Sequence, residues 1–135
     1  MNQNEPGDPV VVRGGAAYDG KQGHTFFAGV SNQSAGAQRL CLHLITIPPG
    51  TRSHPHLHQQ HESAIYIVSG DGEGWYGTDL QEHFTVGAGD FVYVPAGMPH
   101  QPGNRSQTEP LIAVVARTDP NEQESVVLLP DPKES

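Results

Sequence analysis

The sequence predicts an all-β chain, a barrel or sandwich of eight to ten short strands, on two observations. Gly and Pro are frequent, 16 and 12 among 135 residues, and evenly spread. The longest stretch free of both runs only from His56 to Ser69, whereas a helical protein needs repeated uninterrupted tracts of roughly 8–20 residues. Between the breakers lie short segments dominated by β-branched and aromatic residues, the composition of a pleated, packed surface.

Taken in order, residues 1–9 read as a polar lead, 10–130 as one domain and 131–135 as a loose tail. Val10–Val12 is a run of valines and Thr25–Val30 an aromatic-bearing segment. Leu40–Ile47, LCLHLITI, is strongly apolar, and PPG at 48–50 stops it. Ala64–Ser69 precedes the turn signal GDGEG at 70–74, and Gly74–Tyr76 follows. His83–Val86 meets GAGD at 87–90; Phe91–Val94 meets PAGMP at 95–99 and then PGN at 102–104. Leu111–Arg117 and Val126–Leu129 complete the set. Phe91–Val94 and Leu111–Ala116 are apolar on both parities, which predicts cover on both faces and hence a homodimer.

Composition excludes several functions. Net charge is −8, with 7 Lys+Arg against 15 Asp+Glu and no basic stripe, so nucleic acid is not an expected partner. No apolar run approaches membrane-spanning length. The opening MNQNEPGDP lacks the form of a signal peptide, and the lone Cys41 cannot form an internal disulfide, so the expected location is the cytoplasm. Cys41, in an apolar strand, reads as an inert core residue.

The chemistry lies in the histidines. Of eight, four fall in the tract His54-Pro55-His56-Leu57-His58-Gln59-Gln60-His61, followed by Glu62. In an extended chain residues i and i+2 share a face. A strand from His56 to Val68 projects His56, His58, Gln60, Glu62 and Tyr66 together and turns His61 away. Two imidazoles and a carboxylate can form one side of a metal's coordination sphere. A solvated His-rich loop that binds metal only adventitiously is the alternative. His24, His43 and His83 have no evident partners and read as structural or surface residues.

A second segment changes the balance. Gly89-Asp90-Phe91-Val92-Tyr93-Val94-Pro95-Ala96-Gly97-Met98-Pro99-His100-Gln101-Pro102-Gly103-Asn104 resembles the second motif of the cupin superfamily, G-x5-P-x-G-x2-H-x3-N, at every defined position. Gly50-x5-His56-x-His58-x3-Glu62 resembles the first, G-x5-H-x-H-x3–4-E-x6-G, except that Gly70 follows Glu62 after seven residues rather than six. The extra residue predicts a bulge. The resemblance implies a double-stranded β-helix, the jelly-roll conical barrel of cupins. It also implies a metal bound by His56, His58, Glu62 and His100. Independently, Pro95 and Gly97 are expected to end a strand in a tight turn that returns His100 to the barrel. Asn104 is expected to tie the following loop by hydrogen bonds.

Three imidazoles and one carboxylate contain no thiolate, which argues against a closed structural zinc site. Such donors admit a divalent Mn, Fe, Co, Ni, Cu or Zn ion. Tyr66 and Gln60 are the candidate catalytic residues: the Tyr66 phenol as an orienting group, against a core-packing role, and Gln60 as an outer ligand or hydrogen-bond donor. His54 is a further candidate for that outer role. Trp75 and Tyr76 are expected at a dimer interface or over the pocket, and Met98 as a cap on the barrel. The functional expectation is a metalloenzyme acting on a small oxygenated molecule, as an oxygenase, isomerase, lyase or decarboxylase. The alternative is a small-molecule-binding cupin without turnover. A metal-free epimerase-type cupin is disfavoured by the histidine–glutamate set.

Overall fold

Alternation of apolar residues builds two facing sheets. The computed structural model describes residues 7–13, 17–19, 25–122 and 126–132. Within them run β1 (Ala17–Asp19), β2 (Thr25–Val30), β3 (Cys41–Ile47), β4 (His56–His58), β5 (Ser63–Ser69) and β6 (Asp71–Tyr76). They continue with β7 (Glu82–Gly87), β8 (Phe91–Val94), β9 (His100–Asn104), β10 (Leu111–Arg117) and β11 (Val126–Leu128). One turn of helix, α1 (Asn32–Ala35), follows β2, capped by Ser31. Every strand pairing is antiparallel. The first sheet runs β1-β2-β3-β10-β5-β8 and the second β11-β4-β9-β6-β7. This is the expected double-stranded β-helix.

The core sits on the inner face of the first sheet. On β3, Cys41, His43, Ile45 and Ile47 are buried while Leu42 and Leu44 are exposed. On β10, Leu111, Ala113, Val115 and Arg117 face inward with the same period. Phe26 and Ile67 complete one apolar cluster with Ile45, Ile47, Leu111, Ala113 and Val115. Each fully buried aliphatic or aromatic side chain contributes about 1.5–3 kcal/mol. His43 is a core residue, 1% exposed and edge-on to Phe26. Arg117 donates from Nε to the buried Cys41 Sγ at 3.3 Å.

Several elements differ from expectation. Val10–Val12 forms no strand, and Val10 and Val11 are exposed, because propensity without a paired neighbour does not make a ladder. The GDGEG segment turns only at Gly70, at φ +104, and Asp71 already begins β6. The PGN segment is β9 rather than a turn, paired along β6. Most consequentially, the single strand expected from His56 to Val68 is broken at 59–62 into β4 and β5, which belong to opposite sheets. The bulge expected between Glu62 and Gly70 is present in β5 at Val68, where Ser69 and Ile67 pair with the adjacent Ile112 and Ala113.

Asp131, expected to begin a loose tail, is anchored: its carboxylate accepts from Gln101 Nε2 at 2.8 Å and lies 3.6 Å from Arg52 Nε. Residues 1–6, 133–135 and His24 lie outside the described residues. Among the described residues no helix is long and apolar enough to cross a membrane.

Candidate metal centre

His56 and His58 alternate across Leu57 on β4, so both rings enter the barrel, and both are buried. His100 arrives from the other motif. Pro95 accepts from Met98 N at 3.3 Å and Gly97 takes φ +79, closing the turn that returns the chain as β9. Gly97 N also donates to His58 O at 2.7 Å, tying that turn to β4. His100 is thereby the cross-strand partner of His56. Potential ligand atoms of His56, His58 and His100 all lie within 4.8 Å of one another.

The ring orientations suit metal binding. His56 Nδ1 lies 2.8 Å from the carbonyl of His54, and His100 Nδ1 lies 2.8 Å from that of Met98. A carbonyl only accepts, so each Nδ1 carries the proton and each Nε2 keeps its lone pair. Backbone carbonyls fix the tautomer of metal-ligating histidines in this way. The donor set therefore fits a divalent transition-metal ion held by three neutral imidazoles. His54 acts through its backbone, and its side chain is exposed.

The remaining expected site residues are placed elsewhere. Glu62 is exposed and stands outside the three-histidine group. Its backbone N–H donates to Thr118 Oγ1 at 3.1 Å as the chain crosses between sheets. Ser63, the next residue, is 4% exposed and lines the cavity. Six residues also separate Ser63 from Gly70, the spacing the first motif assigns to its carboxylate. The chain thus has a serine where the motif has a glutamate. Tyr66 and Gln60 are not among the residues that line the cavity. Gln60 is exposed in the break, and Tyr66 lies on the outer sheet face with its ring 4.8 Å from that of Phe91. His61, expected to point away, is buried, with its ring 4.6 Å from His58 and Nδ1 3.7 Å from Asp119 Oδ2. Even parity fails for these residues because it holds only along one unbroken strand.

Tyr76, the cross-strand partner of His100, and Tyr93 are the tyrosines in the cavity wall among the described residues. Trp75 alternates to the outer face, 5.9 Å from the Arg52 guanidinium, and Met98 lines the cavity. His83 pairs with Glu73 at 2.9 Å. Asn104 meets its expected role: Nδ2 donates to Ile47 O at 3.0 Å and Glu109 O at 2.8 Å, and Oδ1 accepts from Ser106 N at 2.9 Å. The histidines face a cavity of about 480 Å³ whose walls are mainly aliphatic and aromatic, including Ile45, Ile65, Phe84, Val86 and Val115. A cavity of this size and lining takes a small molecule.

Comparison with known proteins agrees with the fold. The chain superposes on an oxalate decarboxylase from Lactobacillus farciminis, solved as a formate complex, with TM-score 0.69 and 22% identity over 84% of this chain and 33% of that one. A mutant of the Bacillus subtilis oxalate decarboxylase gives 0.67 and 22% over 91% and 30%. An uncharacterized conserved protein with a double-stranded beta-helix domain from Klebsiella pneumoniae gives 0.60 and 21% over 70% and 77%. The chain spans about a third of the length of the two decarboxylases. No curated protein matches the sequence. The cupin domain profile matches residues 43–117, more than half of the chain and both histidine motifs. The chain belongs to the cupin domain family.

Proposed function

We propose that this cupin is a metalloenzyme acting on a small oxygenated molecule held inside the barrel, by an oxygenase, isomerase, lyase or decarboxylase reaction. The observation that carries the reading is the convergence of His56, His58 and His100 on an apolar cavity, with two of the three rings locked by backbone carbonyls. Nε2 atoms of the three histidines would hold Mn, Fe, Co, Ni, Cu or Zn in the divalent state. When bound, such an ion polarises a substrate oxygen or lowers the pKa of a bound water toward ~7. Tyr76, beside His100, offers a phenolic hydrogen bond to orient a substrate oxygen. The aliphatic and aromatic walls exclude water and strengthen polar contacts at the histidines.

A small-molecule-binding cupin without turnover is the second reading, favoured by the absence of a carboxylate beside the three histidines among the described residues. Elemental analysis of the purified full-length chain, followed by a screen of β-diketones, keto acids, catechols and uronates, separates the two. Oxygen consumption and product mass are read together. Turnover by the metal-loaded protein supports the enzyme; saturable binding with no product over many hours supports the binder.

We further propose one domain over residues 10–130, a cytoplasmic location and a homodimer. The dimer reading rests on the outer face of the first sheet. Register aligns Phe27, Leu44, Val114, Tyr66 and Phe91 in one row, with Leu42 and Tyr93 in the next. Phe91 is 80% and Tyr93 62% exposed. The exposed side chains of this face, Phe27, Leu42, Leu44, Tyr66, Phe91 and Tyr93, are apolar or aromatic, the composition of a homodimer interface core. A second copy, presenting the same apolar face, is its best-matched partner.

A further inference from the structure

Ser63 gives this centre a property that the expected ligand set does not have. Had Glu62 been a ligand, its carboxylate would have neutralised one charge of a divalent ion. The structure instead places three imidazoles in the group and a buried serine in the lining of the same cavity. An ion held by these donors keeps its full double charge, in a cavity whose low polarity makes that charge expensive. The carboxylate along the wall, Glu73, is already paired with His83 at 2.9 Å.

The Ser63 hydroxyl is the second observation. It lies on a residue 4% exposed that lines the cavity, and it has no hydrogen-bond partner among the described residues. A buried hydroxyl left unpartnered costs about 1–3 kcal/mol, so a ligand that accepts from it is favoured. The same wall is otherwise mainly aliphatic and aromatic around Ile65, Ile67 and Val115, and Arg117, the cross-strand partner of Ser63, is engaged by Cys41 Sγ and Glu122 O. A doubly charged or many-hydroxyl ligand would leave its own polar groups unsatisfied there.

We propose that the cavity selects a monocarboxylate with an apolar body. Its carboxylate replaces the acidic ligand that the motif otherwise supplies, and accepts a hydrogen bond from Ser63 Oγ. The apolar remainder fills the cavity toward the core cluster. This inference rests on the metal reading above and names the ligand class for that site.

Cobalt(II) tests it without reference to turnover, because its visible absorption reports the ligands around the ion. The full-length protein, loaded with cobalt, is titrated with phenylacetate, butyrate and oxalate, and bound metal is measured by elemental analysis. Phenylacetate is expected to shift the visible bands saturably and to bind about tenfold or more tighter than oxalate. Ser63→Ala is expected to keep its cobalt and lose about tenfold in phenylacetate affinity. Ser63→Glu is expected to keep cobalt and lose the response altogether, since its own carboxylate takes that position. Circular dichroism establishes that both variants fold; if Ser63→Glu does not, Ser63→Asp replaces it with the same expectation. Cobalt uptake without a carboxylate response, oxalate binding more tightly than phenylacetate, or an unchanged response in both Ser63 variants overturns the inference and leaves the metal centre standing. Failure of the wild-type chain to take up cobalt overturns the metal reading and this inference together.

Discussion

His56 and His100, 44 residues apart in sequence, are direct partners across the β4–β9 ladder, with ring centroids 4.3 Å apart. His58 lies 5.1 Å from His100 and 5.0 Å from His56 by the same measure. The three rings therefore depend on one sheet, and the hydrogen bonds of His54 and Met98 hold two of them from behind.

Replacing a ring should remove the metal and spare the barrel. His56→Ala and His100→Ala are each expected to weaken metal affinity by about a hundredfold or more, since even supporting contacts change it by ~10–100-fold. Far-ultraviolet circular dichroism should remain that of the wild type. Full metal occupancy in either variant, measured by elemental analysis, would refute the ligand set.

Glu62 offers the reverse experiment. Its side chain is exposed and outside the histidine group, so Glu62→Gln should leave metal affinity within about twofold of wild type. A loss comparable with that of His56→Ala would show that the carboxylate does reach the ion.

Asn104 is a structural prediction independent of metal. Its buried amide joins Ile47 on β3 to the loop carbonyl of Glu109 and the amide of Ser106. Asn104→Ala leaves these backbone groups without their partner and should cost about 2–4 kcal/mol. Urea unfolding of metal-free protein, with the two midpoints compared at equal slope, measures it. A change below about 0.5 kcal/mol would mean that other groups take over those bonds.

The outer sheet face predicts association. Phe91→Glu combined with Tyr93→Lys should convert a dimer to a monomer without altering metal content. Light scattering after size exclusion reads both proteins. A monomeric wild type, or a dimer indifferent to these changes, places the interface elsewhere or removes it.

Much of the fold was legible in local pattern. Leu111–Arg117 and Phe91–Val94 run over the expected residues because each is an unbroken β-rich segment between strong turn signals. The turn at Pro95 and Gly97, and the bonds made by Asn104, follow from backbone and side-chain chemistry carried by single residues. Val10–Val12 misleads for the opposite reason: a strand exists only where another strand supplies its hydrogen-bond partners. At the site, His56, His58 and His100 converge as motif spacing implied, whereas Glu62, Gln60 and Tyr66 do not join them.

Residue chemistry and spacing along the chain were enough to determine an all-β barrel with histidines from two distant motifs. Only the tertiary structure decided which neighbour of those histidines faces the cavity. Side-chain alternation is a local rule that survives only while the backbone stays in one ladder. The chain leaves the second sheet after His58 and joins the first at Ser63, so the facing is set anew by the pairing of Ser63 with Val94 and Arg117. That pairing turns a serine inward and leaves the glutamate in solvent.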